Sequence, residues 1–232
     1  AHGFHQAVWD AKTEEGKDDR ITFTYLSRDM EQGFPGNMEA TVSYTLTDAD
    51  EVKIDYSAKT DRTTIANLTN HAYYNLGGHD AGSVEDHLLK INADYYTPVS
   101  SEKAIPTGVI EPVAGTPMDF TEAKKIGRDI GADFIQLAYA GGYDHNYVLD
   151  TRHGVMRLAA QALCEESGIA MDFSTDCMGM QFYSGNFVER HAGKEGVFYD
   201  FRHGFCLEPQ YYPNAVNEER FASPLLHPGE TY

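Results

Sequence analysis

ATVSYTLTDADEVKIDYSA, residues 40–58, is the stretch on which the fold turns. Val42, Tyr44 and Leu46 occupy every second position, and so do Val52, Ile54 and Tyr56. Side chains of a strand point alternately to two faces, so each half reads as a strand with one apolar face. TDADE, residues 47–51, supplies polar turn formers between them, and the whole stretch predicts an antiparallel hairpin. Outward from it the same period recurs. RITFTYL places Ile21, Phe23 and Tyr25 on one face. MRLAAQALCEESGIAMDFST, residues 156–175, carries Met156, Leu158, Ala160 and Ala162, a turn at EESG, then Ile169, Met171 and Phe173. Helical period is scarce. TEAKKIGRDIG, residues 121–131, predicts one short helix capped by Thr121 and closed by Gly131, and ADFIQLAYAGG, residues 132–142, holds one more turn. Strands joined by Gly-, Asp- and Asn-bearing turns imply an all-β sandwich or barrel with few short helices. No repeat, low-complexity segment or linker divides the chain, so one domain over residues 1–232 is expected.

Composition narrows the function. Of 232 residues 41% are hydrophobic, enough to bury a core. The formal net charge of -18 repels phosphate backbones and anionic membranes, so the expected partner is a neutral small molecule rather than a nucleic acid or membrane. Cys164, Cys177 and Cys206 are odd in number and widely spaced. They predict free buried thiols in a reducing, cytoplasmic setting rather than disulfides or a cysteine zinc site. No segment reads as a membrane span or a signal peptide. Neither GxGxxG nor a P-loop follows a strand.

Four polar-aromatic stretches interrupt the alternation: TNHAYYNLGG (69–78), GGYDHNYVLD (141–150), MQFYSGNF (180–187) and GFCLEPQYYPNAVN (204–217). Glu208 follows an apolar run. It is either a carboxyl near the interior with a raised pKa, suited to general-base work, or a strand-end glutamate paired with an arginine. His71 is either a satisfied core histidine or a proton donor held in a pocket. Asp144 and His145 are adjacent and point to opposite faces of a strand, so at most one faces a shared site. The histidine spacing does not match a helical zinc motif, and no metal is expected. Aromatic faces pack on the C–H side of sugar rings while Asn, Asp, His, Gln and Glu bond hydroxyls, so the four stretches together read as a sugar pocket.

In this order the stretches resemble the aldose 1-epimerase (galactose mutarotase) family. TNHAYYNLGG is similar to its central histidine motif and GYDHNYVL to its substrate-aspartate motif. QFYSGNF and GFCLEPQYYPNAVN are similar to its later motifs, and LLHPGETY to the approach to its final strand. The resemblance runs from about Gly3 to the end of the chain. It implies a large antiparallel β-sandwich and cofactor-free interconversion of sugar anomers. It further implies Glu208 as general base, His71 as general acid, and Asp144, Asn70 and Gln181 as substrate-binding residues, with His145 a bystander. Acid and base are expected on opposite sides of the sugar ring, with Asn70 and the tyrosines fixing the imidazole and the glycines turning the chain away behind it. The family's upstream His-Gly-Gly stretch and arginine are not matched. His2 is a poor substitute for that histidine, and the expectation is a chain lacking the family's N-terminal part and C-terminal tip. Pro209 stands where the family usually has threonine, which removes a backbone donor beside Glu208. Two other readings follow. A hexose-6-phosphate epimerase of the same fold would draw on Arg62, Arg152 and Arg190 to hold phosphate. A carbohydrate-binding domain would keep the pocket without turnover.

Overall fold

The structure is a computed structural model that describes residues 3–14, 17–101, 103–149 and 154–232. Its regular secondary structure is almost entirely antiparallel strand, and the chain forms two compact units, one of residues 1–68 with 224–232 and one of residues 69–223. His2 and Arg152 lie outside the described residues. No helix among the described residues is long and apolar enough to cross a membrane.

The first unit holds a four-stranded meander of Asp10–Glu14 (β1), Lys17–Ser27 (β2), Met38–Leu46 (β3) and Val52–Thr60 (β4). The hairpin expected over residues 40–58 is β3 and β4, with Val42 opposite Tyr56, Tyr44 opposite Ile54 and Leu46 opposite Val52. Thr64–Ile65 (β5) pairs with Leu225–Leu226. Met38, Ala58, Ala66 and Leu226 form this unit's small core.

The second unit holds Leu88–Ile91 (β6), Tyr95–Thr97 (β7), Glu111–Pro112 (β8) and Lys124–Lys125 (β9), then the helix Ile135–Ala140 (α1). Asp144–Val148 (β10), Arg157–Cys164 (β11), Ile169–Thr175 (β12), Gly179–Tyr183 (β13), His191–Ala192 (β14), Phe198–Tyr199 (β15) and Cys206–Gln210 (β16) follow. One sheet runs β16-β13-β10-β7-β8, and a second runs β12-β11-β6-β9. A single core joins them. Tyr147, Met180, Phe182 and Leu207 from the first sheet and Leu89, Ile91, Ala160 and Ala162 from the second belong to the same buried cluster. Alternation then dictates that Asp144, Asn146, Gln181, Tyr183, Cys206, Glu208 and Gln210 occupy the opposite face of the first sheet. That face carries the site.

Two expectations from the sequence are corrected. Residues 121–131 form no helix. Thr121 caps nothing there: its hydroxyl donates to Asp119 Oδ1 at 2.6 Å. Lys124 and Lys125 instead pair with Leu89 and Leu88 as β9. Ile126 is fully buried, and Lys124 is held by the Pro117 carbonyl and by Asp129 Oδ2 at 2.8 Å. A short helix of weak propensity loses to that packing. Leu158 does not share the buried face of Ala160 and Ala162. A register shift between Leu158 and Ala160 turns it outward, to 38% exposed. The helical turn expected in residues 132–142 is α1, ended by Gly141 at φ 66°.

Candidate active site

Glu208 stands in the middle of β16, directly opposite Gln181 of β13. The register Gly179–Gln210 through Tyr183–Cys206 fixes it. β16 is the edge of its sheet, which is where a strand tolerates Pro209. Glu208 is only 8% exposed. Burial, reinforced by the Asp144 carboxylate, pushes its carboxyl up to about 7. The raised carboxyl is the alternative the structure supports. Among the described residues no lysine or arginine is ion-paired to it, and its charged neighbour is His71, whose Nε2 lies 3.6 Å from Glu208 Oε1.

His71 reaches the site through the segment 69–78. Tyr74 and Phe205 exchange backbone hydrogen bonds of 2.8 and 3.0 Å, which lays this segment beside the start of β16. The Asn70 side-chain oxygen accepts the Ala72 backbone N–H at 3.0 Å, a tight turn around His71. The imidazole stacks on Tyr73, with ring centres 5.1 Å apart, and meets the edge of Tyr183. Its Nδ1 lies 3.4 Å from Cys206 Sγ. Behind the tyrosines the chain turns away: Gly78 donates to the Asn75 carbonyl at φ 110°, a conformation that favours glycine. His71 itself is half exposed, with 52% of its side chain open.

Asp144 and Gln181 complete the group. Gln181 Nε2 donates to Asp144 Oδ1 at 2.7 Å. Burial pushes the Asp144 carboxyl up, opposed by the Gln181 hydrogen bond and by His71. His145 points the other way. It is fully buried, and burial pushes its imidazole down to about 4. Its Nδ1 accepts the Asp144 backbone N–H, so Nε2 carries the proton that goes to Gln136 Oε1 at 3.2 Å. It is a core histidine.

The structure thus brings His71, Glu208, Asp144 and Gln181 together, with Asn70 shaping the turn at His71. The imidazole of His71 and the carboxylate of Glu208 stand side by side. Three further residues were not singled out from sequence: Cys206, Gln210 and Tyr183. Cys206 and Gln210 sit two residues either side of Glu208, so period two puts all three on one face once Glu208 is chosen.

Gln210 extends the polar row. Its Nε2 donates to Gln181 Oε1 at 3.0 Å and lies 3.3 Å from Asn146 Oδ1. The direction follows from Asp144: a carboxylate only accepts, so Gln181 must offer it the amide N–H and turn its oxygen to Gln210. Gly179 makes room, since a Cβ there would lie 2.5 Å from Asn146 Oδ1. Gln210→Leu removes the donor that holds Gln181. The expected loss is roughly tenfold in the catalytic efficiency of sugar turnover, equivalent to about 1.4 kcal/mol, carried mainly by a higher KM. Initial rates across a sugar series check this, and unchanged KM and kcat would remove Gln210 from the site.

The arginines that would hold a sugar phosphate are engaged elsewhere or not described. Arg62 pairs with Asp29 at 2.9 Å, and the Arg190 guanidinium lies over the Phe198 ring.

A family model described as aldose 1-epimerase matches residues 1–232. The chain is 39% identical over 231 residues to the galactose mutarotase of Sus scrofa, covering 99% of this chain and 64% of that protein. It is 36% identical over 232 residues to the aldose 1-epimerase of Escherichia coli (strain K12), covering 99% of this chain and 66% of that protein. The crystal structure of the GalM/aldose epimerase homologue from C. elegans superposes with a TM-score of 0.86 at 26% identity, over 100% of this chain and 67% of that one. The chain therefore spans about two thirds of the length of these relatives.

Proposed function

The chain belongs to the aldose 1-epimerase family, and from that premise we propose that it interconverts the α and β anomers of a neutral aldohexose, galactose or glucose. Glu208 is the general base and His71 the general acid. The observation that carries this reading is the contact between a buried carboxyl raised to about 7 and a half-exposed imidazole 3.6 Å away. A group that both takes and returns a proton near neutral pH works best with a pKa in that range.

Anomerisation takes the proton from the C1 hydroxyl and gives one to the ring oxygen. The C1–O5 bond breaks, the open aldehyde turns about C1–C2, and closure on the other face returns both protons. The two oxygens are bonded to the same carbon, so the groups that serve them stand naturally side by side. Glu208 faces the hydroxyl and His71 the ring oxygen. Asp144, oriented by Gln181, accepts a hydroxyl hydrogen bond, and Tyr73 and Tyr183 offer aromatic faces to the C–H side. Asn70 acts by shaping the turn at His71. No step in this scheme asks for a cofactor or metal. The three buried free thiols suit the reducing, cytoplasmic setting expected from the sequence.

The test is polarimetric. Freshly dissolved α-galactose and α-glucose should approach equilibrium rotation faster with the protein than in buffer. A buffer rate with both sugars, combined with measurable sugar binding, would instead favour a carbohydrate-binding domain.

A further inference from the structure

We propose that His71, Cys206 and Glu208 form a binding site for a thiophilic divalent cation, with Zn²⁺ as the type case, and that its occupancy blocks anomer interconversion. The blocking half rests on the acid–base reading above, whereas the binding half stands on the side-chain cluster alone.

The three residues present imidazole nitrogen, thiol sulfur and carboxylate oxygen, and their ligand atoms all lie within 4.8 Å of one another. His71 Nδ1 and Cys206 Sγ are 3.4 Å apart. Two ligands at zinc bond lengths of about 2.0 Å (N) and 2.3 Å (S) around a tetrahedral ion stand roughly 3.5 Å apart. The nitrogen–sulfur edge is therefore already at zinc spacing, and Glu208 closes as third ligand by turning about its side-chain torsions. Cys206 and Glu208 alternate on β16 and so share one face, while the Tyr74–Phe205 bridge sets His71 over them. The fold need not rearrange.

Charge favours a cation. Asp144 acts on Glu208 as a second carboxylate, and among the described residues neither is ion-paired to a lysine or arginine. Mixed N, S and O donors select zinc, cobalt or cadmium over magnesium or calcium, which prefer all-oxygen sites. Binding displaces the thiol proton to solvent. Cys206 is fully buried, but it is the imidazole that stands by its sulfur. That ring is half exposed, so an ion arriving from the open side reaches the sulfur by turning the ring. The fourth ligand is then water. With its carboxylate on the ion, Glu208 cannot take the C1 proton, and turnover stops.

The full chain is titrated with Co²⁺, whose thiolate complexes absorb in the near ultraviolet. One equivalent should produce the charge-transfer band, and Zn²⁺ should abolish it. Cys206→Ser should lose the band, whereas Cys177→Ser, at a separate buried thiol, should keep it. His71→Gln, at a half-exposed position, should weaken cobalt binding at least tenfold. Zinc should slow anomer exchange by the parent chain, with reversal by chelator. Cys206→Ser, scored against its own zinc-free rate, should need at least tenfold more zinc for half inhibition. No thiolate band, or a band that survives in Cys206→Ser, overturns the site. A band with zinc-insensitive turnover overturns the blocking role. If the parent chain shows no turnover at all, the proposed activity fails while the cobalt titration still decides the site.

Discussion

Glu208→Gln is expected to slow anomer interconversion by about 10²–10⁴-fold, the range general-base catalysis supplies. Glutamine keeps the shape and the buried volume but cannot accept the C1 proton. Before substitution, the catalytic efficiency should fall about tenfold per pH unit below about 7, because the raised carboxyl is then protonated. Stability should move the other way. The folded chain holds this proton up to about 7, whereas the unfolded chain releases it near the ordinary value of 4.5. The group's contribution to folding is therefore fully present below 4.5 and lost as pH rises through 7. At pH 8 the variant buries no charge and should melt higher than the parent, and at pH 4 that difference should close. Polarimetry with melting curves at both pH values checks the pair of effects. An inactive variant that melts lower at pH 8 would instead report a structural role for Glu208.

His71→Gln is expected to lower kcat by about 10²–10⁴-fold as well, with KM changed only a few-fold. The ring is half exposed and its packing partners are Tyr73 and Tyr183, so the fold loses about 1 kcal/mol or less. Tyr73→Phe keeps the stacked ring and should keep most of the activity. Steady-state kinetics on both variants separate the roles. A KM that rises while kcat holds would make His71 a binding residue.

Much of the fold was legible because alternation is a local signal. Residues 40–58 carry two apolar faces and a polar turn, and β3 and β4 follow directly. The short α1 falls within residues 132–142, where one helical turn was expected, and Gly141 closes it. Residues 121–131 misled because their pattern suits a helix, while the competing forces are distant. Lys124 and Lys125 pair with Leu89 and Leu88, Ile126 enters the core, and a side chain on Gly127 would meet Glu85 Cβ at 2.8 Å. The outward turn of Leu158 was not legible either, because a register shift moves the phase without marking any residue.

The site divides the same way. Glu208, His71, Asp144 and Gln181 stand in stretches whose polar residues interrupt the strand pattern, and that interruption is visible in the sequence. How the chemistry is spaced is not visible. The Tyr74–Phe205 bridge sets the His71 segment beside β16, where imidazole and carboxylate lie 3.6 Å apart, and the β13–β16 register sets Gln181 opposite Glu208. The roles of Cys206 and Gln210 depend on that same register and on neighbours far away in sequence.

The most direct test is exchange at equilibrium. In magnetisation-transfer NMR of equilibrated galactose, saturating the α anomeric proton should attenuate the β signal in the presence of the parent chain, and neither Glu208→Gln nor His71→Gln should produce the transfer. A parent chain with no transfer beyond buffer, or a Glu208→Gln variant that transfers as fast as the parent, would contradict the assignment of this pair as the groups that move the protons.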